Sequence, residues 1–485
     1  MTQFHRRHRN ILRLIFSNIV GIIAFCHLAL ATSAPFTAGP DDKQQEFHFP
    51  PIVKVQLDNG LTVAVVEKHT VPMVEWRLLI NAGALQEKEK QSGLSNLTNN
   101  MLLAGTKSRD VFTLSQAFDK LGCTIAPTPD FETSGFRGTV LSEKLPDALS
   151  LLADIVLNPS FPERYFTFFK KSFLQQYAAR MNDPVSMSSL LFQAKLFGGK
   201  HPFGRSLIGD SLSLTSMKLE EVRDFHTVYW TPNNATIILV GDIDAKTAID
   251  LIKDRFGNWK QFPFAAVPQP DFPSPKGVSI MVFEEMLANT SEIRMGNVSI
   301  SRSSPEFVPT LLLSRILSGE VTSRFQRELQ VKRRIPSHLE CAFSYRKHGG
   351  FFLVSGYSRA ISTDTVVTVV LDQLKDIIEH GVGEVELEKA KEGFLEGYIQ
   401  RFQTSNQILQ DVEEILVYNL PEDYFERLPH LIAQTTVEEV QQAAQVALDP
   451  DRMQVIIIGN VEKFAKRLVK QFGKRVKVFR KVEAK

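Results

Sequence analysis

The segment that decides the fold is GLSNLTNNMLLAGT, residues 93–106. On a helix, Asn96, Asn99 and Asn100 stand at positions i, i+3 and i+4 and therefore share one face. Asparagine is a weak helix former, because its side-chain amide competes for nearby backbone hydrogen bonds. Three amides on one face indicate either a polar solvent-facing surface or helix end, or a functional site. The rest of the chain has to decide between them.

Length and composition set the broad class of the protein. A chain of 485 residues predicts two or more domains. Hydrophobic residues make up 43% of the chain and charged residues 23%, which is ordinary for a globular protein. The formal net charge is only +2, so the composition gives no reason to expect a nucleic-acid partner.

The N-terminus has the pattern of a targeting segment. Residues 5–9 are basic (HRRHR), residues 14–31 are mostly apolar, and Ala29-Leu30-Ala31 fits a cleavage site. These features predict a secretory signal peptide in residues 1–34, a linker over residues 35–50, and an exported protein, periplasmic or secreted. Two alternatives stay open: an uncleaved anchor, which is the one case in which we expect membrane attachment, and a mitochondrial presequence, which the continuous apolarity disfavours.

The remaining chain divides into two similar halves. Residues 53–66 predict a β-hairpin around Asp58-Asn59-Gly60. Residues 262–276 contain five prolines and predict a linker. Before this linker, residues 235–242 have the sequence ATIILVGD. Near the end of the chain, residues 453–460 have the similar sequence MQVIIIGN, again between two predicted helices.

The repeated order of elements predicts the fold class. We expect an α+β protein of two homologous domains, residues 51–261 and 277–480, joined by the proline-rich linker 262–276. Each domain is expected to contain a mainly antiparallel or mixed sheet with helices packed on it.

Several short segments, in order and spacing, give the chain its resemblance to a known family. Over residues 50–480 it resembles the pitrilysin/insulinase family of inverse zinc metallopeptidases, in the bacterial branch whose chains contain two such domains. The segments that carry the resemblance are Asn81-Ala82-Gly83-Ala84, Gly105-Thr106, His201-Pro202-Phe203-Gly204, Gly209, Tyr229-Trp230-Thr231-Pro232-Asn233-Asn234, Gly241-Asp242, Ser323-Arg324-Phe325 and Glu328-Leu329.

The resemblance assigns an altered metal site to the opening segment. Active members carry H-x-x-E-H, in which two His bind zinc and the Glu is the general base. Alignment on Gly93 and Gly105-Thr106 places the two His positions at Asn96 and Asn100 and the base at Asn99. The third ligand, a Glu in the family, falls on Gln176. Amides supply no negative charge and no proton acceptor, so we expect no bound metal, no cofactor and no catalytic residue, although active members use zinc.

A second family feature is also altered. Active complexes of the family use an Arg and a Tyr, seven residues apart, to bind substrate and stabilise the tetrahedral intermediate. The resemblance places these positions at Gln330 and Ser337, so both side chains are replaced. Arg333 and Arg334 lie nearby, but a solvated basic helix end is the interpretation that we favour for them. We also interpret the acid pair Glu413-Glu414 as solvated or helix-terminal charge.

These observations predict a non-catalytic zinc-protease-like homologue. We expect it to pair as a hetero-oligomer with an active, zinc-bearing subunit of the same family, where two such chains close into a hollow clamshell around an unfolded peptide substrate. By itself the chain is not expected to be an enzyme. The alternatives are a stand-alone exported peptide-binding protein and, less favoured, an active metalloendopeptidase with a non-standard site.

Overall fold

The structure, a computed structural model, describes residues 48–263 and 271–480. The predicted signal peptide, all but the last three residues of the linker 35–50, and the middle of the proline-rich segment lie outside the described residues. Phe49–Lys485 forms one compact unit. Within the described ranges, no helix has the length and apolarity needed to cross a bilayer.

The first half contains a six-stranded mixed sheet in the order β1-β2-β6-β3-β5-β4. The predicted hairpin forms its edge, with Gln56 paired to Thr62. Gly60 has a φ of 85°, a conformation that glycine adopts without steric cost. The strands are β1 (Val53–Gln56), β2 (Thr62–Glu67), β3 (Met73–Ile80), β4 (Ala126–Pro127), β5 (Ser134–Leu141) and β6 (Ala235–Gly241).

Helices surround this sheet, and several of their ends are fixed by local side chains. The Asp110 carboxylate accepts a hydrogen bond of 2.8 Å from the Thr113 amide, and Asp183 does the same for Ser186. Each satisfies an amide that would otherwise lack a partner in the first turn. The helices are α1 (Leu94–Leu102), α2 (Val111–Leu121), α3 (Leu145–Leu157), α4 (Glu163–Asn182), α5 (Pro184–Phe197), α6 (Ser211–Ser216), α7 (Leu219–Tyr229) and α8 (Ala245–Phe256).

The second half contains a six-stranded sheet in the order β12-β7-β11-β8-β10-β9. Its strands are β7 (Ser279–Glu284), β8 (Thr290–Ser299), β9 (Ser337–Tyr345), β10 (Gly350–Arg359), β11 (Gln454–Gly459) and β12 (Val476–Phe479). Its helices are α9 (Phe307–Leu317), α10 (Arg324–Gln326), α11 (Thr363–His380), α12 (Glu384–Leu395), α13 (Ser405–Tyr418), α14 (Tyr424–Gln434), α15 (Val437–Ala447) and α16 (Val461–Phe472).

The two sheets share one topology over five strands. The five strands are β2 to β6 in the first half and β7 to β11 in the second. In each half the first of these strands pairs in parallel with the last: β2 with β6, and β7 with β11. The sixth strands differ, because β1 runs antiparallel to β2 whereas β12 runs parallel to β7. The expected α+β fold with a repeated, mixed-sheet domain is therefore confirmed.

Each half places one helix on the sheet of the other half. Helix α5 packs against β8 and β11, and α13 packs against β3 and β6. Side chains from both halves form one buried hydrophobic cluster where α5 meets the second sheet. Its members include Phe192, Phe197, Phe203, Ile456 and Ile458. The exchange explains why Phe49–Lys485 forms one compact unit instead of two separate lobes.

Candidate functional site

Helix α1 is held in place at its first residue. Its cap, Gly93, has a φ of 89° and lies against Gly209, so a Cβ atom at position 93 would stand 2.7 Å from the Gly209 nitrogen. The position therefore excludes any side chain. Along its length the helix packs against α4, α7 and β5. These contacts fix which face of α1 each asparagine occupies.

A buried carboxyl group caps the start of α1. The Glu87 side chain, only 5% exposed, accepts hydrogen bonds from the Gly93 amide (3.0 Å) and the Ser95 amide (2.8 Å). Burial raises the pKa of Glu87 from its ordinary 4.5 to about 8, although the two amides and the nearby Arg205 act to lower it. Glu87 has no signal in the sequence, because nothing local marks a cap that lies seven residues before the helix.

The pKa of Glu87 predicts a pH-dependent stability. The folded state binds the proton more tightly than the unfolded state, so this stabilisation is complete below pH 4.5 and is lost as the pH rises through about 8. Between pH 7 and 9 we expect the free energy of unfolding to fall by about 1 kcal/mol from this group. Urea titrations of wild type and Glu87→Gln measure it, because the variant removes the slope.

An exposed glutamate provides the control for that experiment. Glu143 has a side chain that is 73% exposed, so Glu143→Gln is expected to leave the pH dependence unchanged. Equal slopes in wild type and Glu87→Gln would contradict the assignment of the buried proton to Glu87.

The three asparagines of α1 do not form a solvent-facing surface. Asn99 is fully buried and Asn96 is 7% exposed, while Asn100 is half-buried. The Asn100 amide donates to the Asn96 side-chain oxygen (3.0 Å) and to the Asn96 backbone carbonyl (2.8 Å). The Asn96 amide donates to the Leu207 carbonyl at 3.2 Å. The solvent-face alternative is therefore wrong for Asn96 and Asn99.

The Asn99 side chain is held only weakly by its surroundings. Its amide donates a 3.4 Å hydrogen bond to the Gly135 carbonyl on β5. None of the described residues donates a hydrogen bond to its buried side-chain oxygen. A buried acceptor without a partner costs stability, so packing and hydrogen bonding give no local reason for an amide here.

Gln176 lies on α4, the long helix that packs against α1. Its side chain is half-buried, and its amide donates to the Ser172 hydroxyl at 3.3 Å, within the same helix. Helix α4, which carries Gln176, therefore packs against α1, which carries the three asparagines. The hydrogen bond of the Gln176 side chain, however, is to a residue of α4 itself.

The side chains at these four positions do not fit zinc. Zinc sites in proteins are built from imidazole, thiolate and carboxylate groups, and amide oxygens supply none of the charge that these ligands contribute. The Asn96 side-chain oxygen already accepts the Asn100 amide. Across residues 48–263 and 271–480, no three His, Cys, Asp or Glu side chains are grouped so as to hold a metal.

The two positions that the resemblance assigns to the Arg and Tyr pair are in direct contact. The exposed Gln330 side chain donates a 2.7 Å hydrogen bond to the Ser337 carbonyl, which joins the π-helical turn after α10 to the start of β9. Arg333, also exposed, binds Glu328 at 3.0 Å. The hydrogen bond to the Ser337 carbonyl holds Gln330 at the edge of the second sheet. Arg333 forms its ion pair with a residue of the same π-helical turn.

A polar cleft between the halves was not predicted from the sequence. It has a volume of about 340 Å³, and its lining includes Asp130 and Glu132 from the first half and Arg302, Glu413 and Glu414 from the second. Glu413 pairs with the buried Arg77 at 2.8 Å, and Glu414 with the buried Arg302 at 2.7 Å. The interpretation of Glu413-Glu414 as solvated charge is therefore wrong.

Comparisons with family models agree with the repeated fold. The model described as "Insulinase (Peptidase family M16)" matches residues 62–210, and the model described as "Peptidase M16 inactive domain" matches residues 216–394. Together they span more than half of the chain. The first match contains α1 and α4, so it covers the candidate site.

Curated relatives are similar over most of their length. The zinc protease PqqE of Helicobacter pylori is 22% identical over 400 residues, covering 81% of this chain and 89% of that protein. An uncharacterized zinc protease of Mycobacterium tuberculosis is 23% identical over 395 residues, covering 81% of this chain and 90% of that protein.

Solved structures share the fold. The peptidase M16 inactive domain from Pseudomonas fluorescens superposes with a TM-score of 0.77 at 24% identity, covering 84% of this chain and 98% of that one. A protease from Helicobacter pylori gives a TM-score of 0.77 at 20% identity, with coverage of 84% and 99%. The matched family models, the repeated sheets and the paired helices α1 and α4 lead to one conclusion: the chain belongs to the pitrilysin/insulinase family, peptidase family M16, in its two-domain branch.

Proposed function

We propose that this chain is a non-catalytic member of its family that works as the inactive subunit beside an active, zinc-bearing member in peptide degradation or processing. One observation supports the proposal: Asn96, Asn99 and Asn100 share one face of α1, to which the resemblance assigns the two ligands and the base. The resemblance assigns the third ligand to Gln176, which lies on the adjacent α4.

The chemistry of these side chains supports inactivity. A peptidase of this kind needs a carboxylate or another base to accept a proton from the attacking water. Asn99 has no basic atom at neutral pH, and no hydrogen bond links its oxygen to a second group. The four positions therefore supply neither a metal nor a base, and the peptidase chemistry has to come from another chain.

The fold supports a structural role in a pair. In the family, two two-domain chains enclose an unfolded peptide, and the zinc resides on one of them. This chain would then supply a wall of the cavity, contacts with the peptide and stability to its partner. We place the pair outside the cytoplasm, since residues 1–34 have the pattern of a signal peptide.

Co-expression with a zinc-bearing family member from the same genome tests the proposal. We expect the two chains to co-purify, and we expect peptidase activity of the pair to exceed that of the active chain alone. Replacing the general-base Glu of the partner should abolish the activity of the pair. The purified chain alone should contain no stoichiometric zinc and should cleave no peptide.

Two outcomes would overturn the proposal in different ways. Stoichiometric zinc with chelator-sensitive cleavage by the chain alone would show an active metallopeptidase. A chain that stays monomeric beside every such partner, leaves their activity unchanged and binds unfolded peptide by itself would be a stand-alone peptide-binding protein.

A further inference from the structure

Positive charge is concentrated at the end of the chain. Residues 461–480 contain eight Lys or Arg and a single acidic residue, Glu462, whereas the whole chain has a net charge of only +2. These residues form α16, a short turn and the edge strand β12, all of them in the second half. The surface they form is therefore strongly basic on a nearly neutral protein.

Helix α16 separates its apolar and basic residues into opposite faces. The buried side chains Val461, Phe464, Ala465 and Leu468 pack into the second half. Lys463, Lys466, Arg467 and Lys470 stand at i, i+3, i+4 and i+7 and so follow one line along the outer face. We call these four residues the basic stripe.

Most of this charge is not neutralised by the protein. Arg467 pairs with Asp364 at 2.7 Å, and Arg480 pairs with Glu462 at 2.7 Å. Within the described part of the chain, no ion pair or hydrogen bond engages the side chains of five further cations. These are Lys466, Lys470, Lys474, Arg475 and Lys477. The surface thus has free positive charge to offer to a negatively charged partner.

Exposed apolar side chains lie at the N-terminal end of the stripe. Leu287 is 92% exposed, Met286 53% and Ile361 63%. They belong to the loop of residues 285–289 and to the adjacent 3₁₀-helical turn Ala360–Ser362, which together we call the apolar tip. The Ala360 amide joins the two loops by donating to the Asn289 carbonyl at 2.9 Å.

Direct hydrogen bonds connect the basic stripe to the apolar tip. The Lys463 ammonium donates to the Asn289 side-chain oxygen at 3.0 Å, and the Arg467 guanidinium donates to the Ile361 carbonyl at 2.5 Å. Asn460, which caps α16, donates to the Met286 carbonyl at 2.6 Å. The stripe and the tip are therefore parts of one continuous surface.

We propose that this surface, the basic stripe with Lys474 of the following turn and the apolar tip, binds peripherally to anionic phospholipid bilayers. The unpaired lysines would contact the lipid phosphates, while Leu287, Met286 and Ile361 enter the interface between headgroups and acyl chains. The apolar tip favours a bilayer over a soluble polyanion. A nucleic acid or an acidic protein segment could pair with the basic stripe, but neither has an apolar interior that could bury an exposed leucine.

Vesicle co-sedimentation tests the proposal. Phe49–Lys485 is a compact unit, so the assay uses a chain that begins at residue 35 and lacks the apolar N-terminal segment. We expect it to bind phosphatidylcholine vesicles that contain phosphatidylglycerol, to bind phosphatidylcholine alone far more weakly, and to dissociate from the anionic vesicles in high salt.

Matched variants separate the two contributions. The triple variant Lys466→Gln, Lys470→Gln, Lys474→Gln should lose about a hundredfold in vesicle affinity, roughly fivefold for each lysine. Its control, Lys107→Gln, Lys200→Gln, Lys253→Gln, makes the same charge change on the first half and should lose little. Leu287→Ser should weaken binding about tenfold, whereas Leu212→Ser, at a position 85% exposed in α6, should not.

The results that overturn the proposal are specific. One is the absence of wild-type binding to anionic vesicles. Another is an equal loss in the control variants, which would show that total charge and not this surface governs binding. A third is unchanged binding in Leu287→Ser together with equally tight binding to heparin or DNA, which would identify a polyanion site. Unchanged melting temperatures would confirm that each variant is folded.

Discussion

A variant with Asn96→His, Asn99→Glu, Asn100→His and Gln176→Glu is expected to bind one zinc ion, whereas the wild-type chain is expected to bind none. The geometry supports this result, because the Asn96 and Asn100 side chains already meet at 3.0 Å on one face of α1. Two imidazoles one turn apart, with a carboxylate from the adjacent α4, make a three-ligand site with an open fourth position. We expect this site to bind zinc with a free energy of about −10 kcal/mol, which corresponds to a Kd near 10⁻⁷ M.

Zinc content after dialysis, and competition with a chromophoric chelator, measure the effect. Omitting Gln176→Glu removes one direct ligand and should weaken binding by at least about a hundredfold, the upper end of the loss for groups that only support a ligand. Omitting Asn99→Glu removes the base but no ligand, so zinc affinity should persist without any gain of peptidase activity. A folded four-site variant that holds no zinc would show that α1 and α4 do not frame a metal site, and that the positions assigned here are wrong.

Local sequence signals were sufficient for most of the fold. The hairpin at Asp58-Asn59-Gly60 and the buried strand at residues 235–240 have short-range patterns, and the similar segment at 453–458 revealed the repeat. Strands β4, β9 and β12 and helices α6, α13 and α14 were not predicted. The segment that forms β9 does alternate, with Leu339, Cys341, Phe343 and Tyr345 at every second position, so a local signal for this strand was present. Helix α13, in contrast, owes its position to contacts with β3 and β6, far away in the chain.

The candidate site was predicted by resemblance more than by chemistry. Helical spacing alone puts Asn96, Asn99 and Asn100 on one face, but spacing cannot tell a buried face from a solvated one. The structure decides this through packing, since Asn99 is fully buried against β5. Glu87 and Arg205 escaped notice because their roles depend on a loop that folds back on the start of α1.

The same limit explains the misinterpretation of Glu413-Glu414. Two adjacent acids on a helix usually face solvent, and nothing near them in sequence suggests otherwise. Their partners, Arg77 and Arg302, lie 336 and 112 residues away in the chain. The packing of α13 on the first sheet brings Glu413 to Arg77, whereas Arg302 and Glu414 meet within the second half. The first of these pairs in turn predicts how the two halves depend on each other.

Removing the Glu413 carboxylate is expected to destabilise the whole unit by about 3 to 5 kcal/mol, because it strands a buried charge. The Arg77 side chain is 5% exposed, and its partners are Glu413 at 2.8 Å and the Thr128 hydroxyl. In Glu413→Ala the Arg77 guanidinium stays buried but no longer has a carboxylate to pair with. The double variant Arg77→Leu, Glu413→Leu removes both charges and should be less destabilised than Glu413→Ala.

Urea denaturation measures these effects and also tests the coupling of the halves. The exposed pair Lys246–Asp250, 2.8 Å apart with side chains 88% and 61% exposed, provides the control. Asp250→Ala should cost far less than Glu413→Ala, because solvent screens this exposed pair. Because Arg77 belongs to the first sheet and Glu413 to α13 of the second half, Glu413→Ala should shift a single unfolding transition. If urea instead produces two unfolding transitions, and Glu413→Ala shifts the midpoint of only one of them, the two halves do not unfold as one cooperative unit.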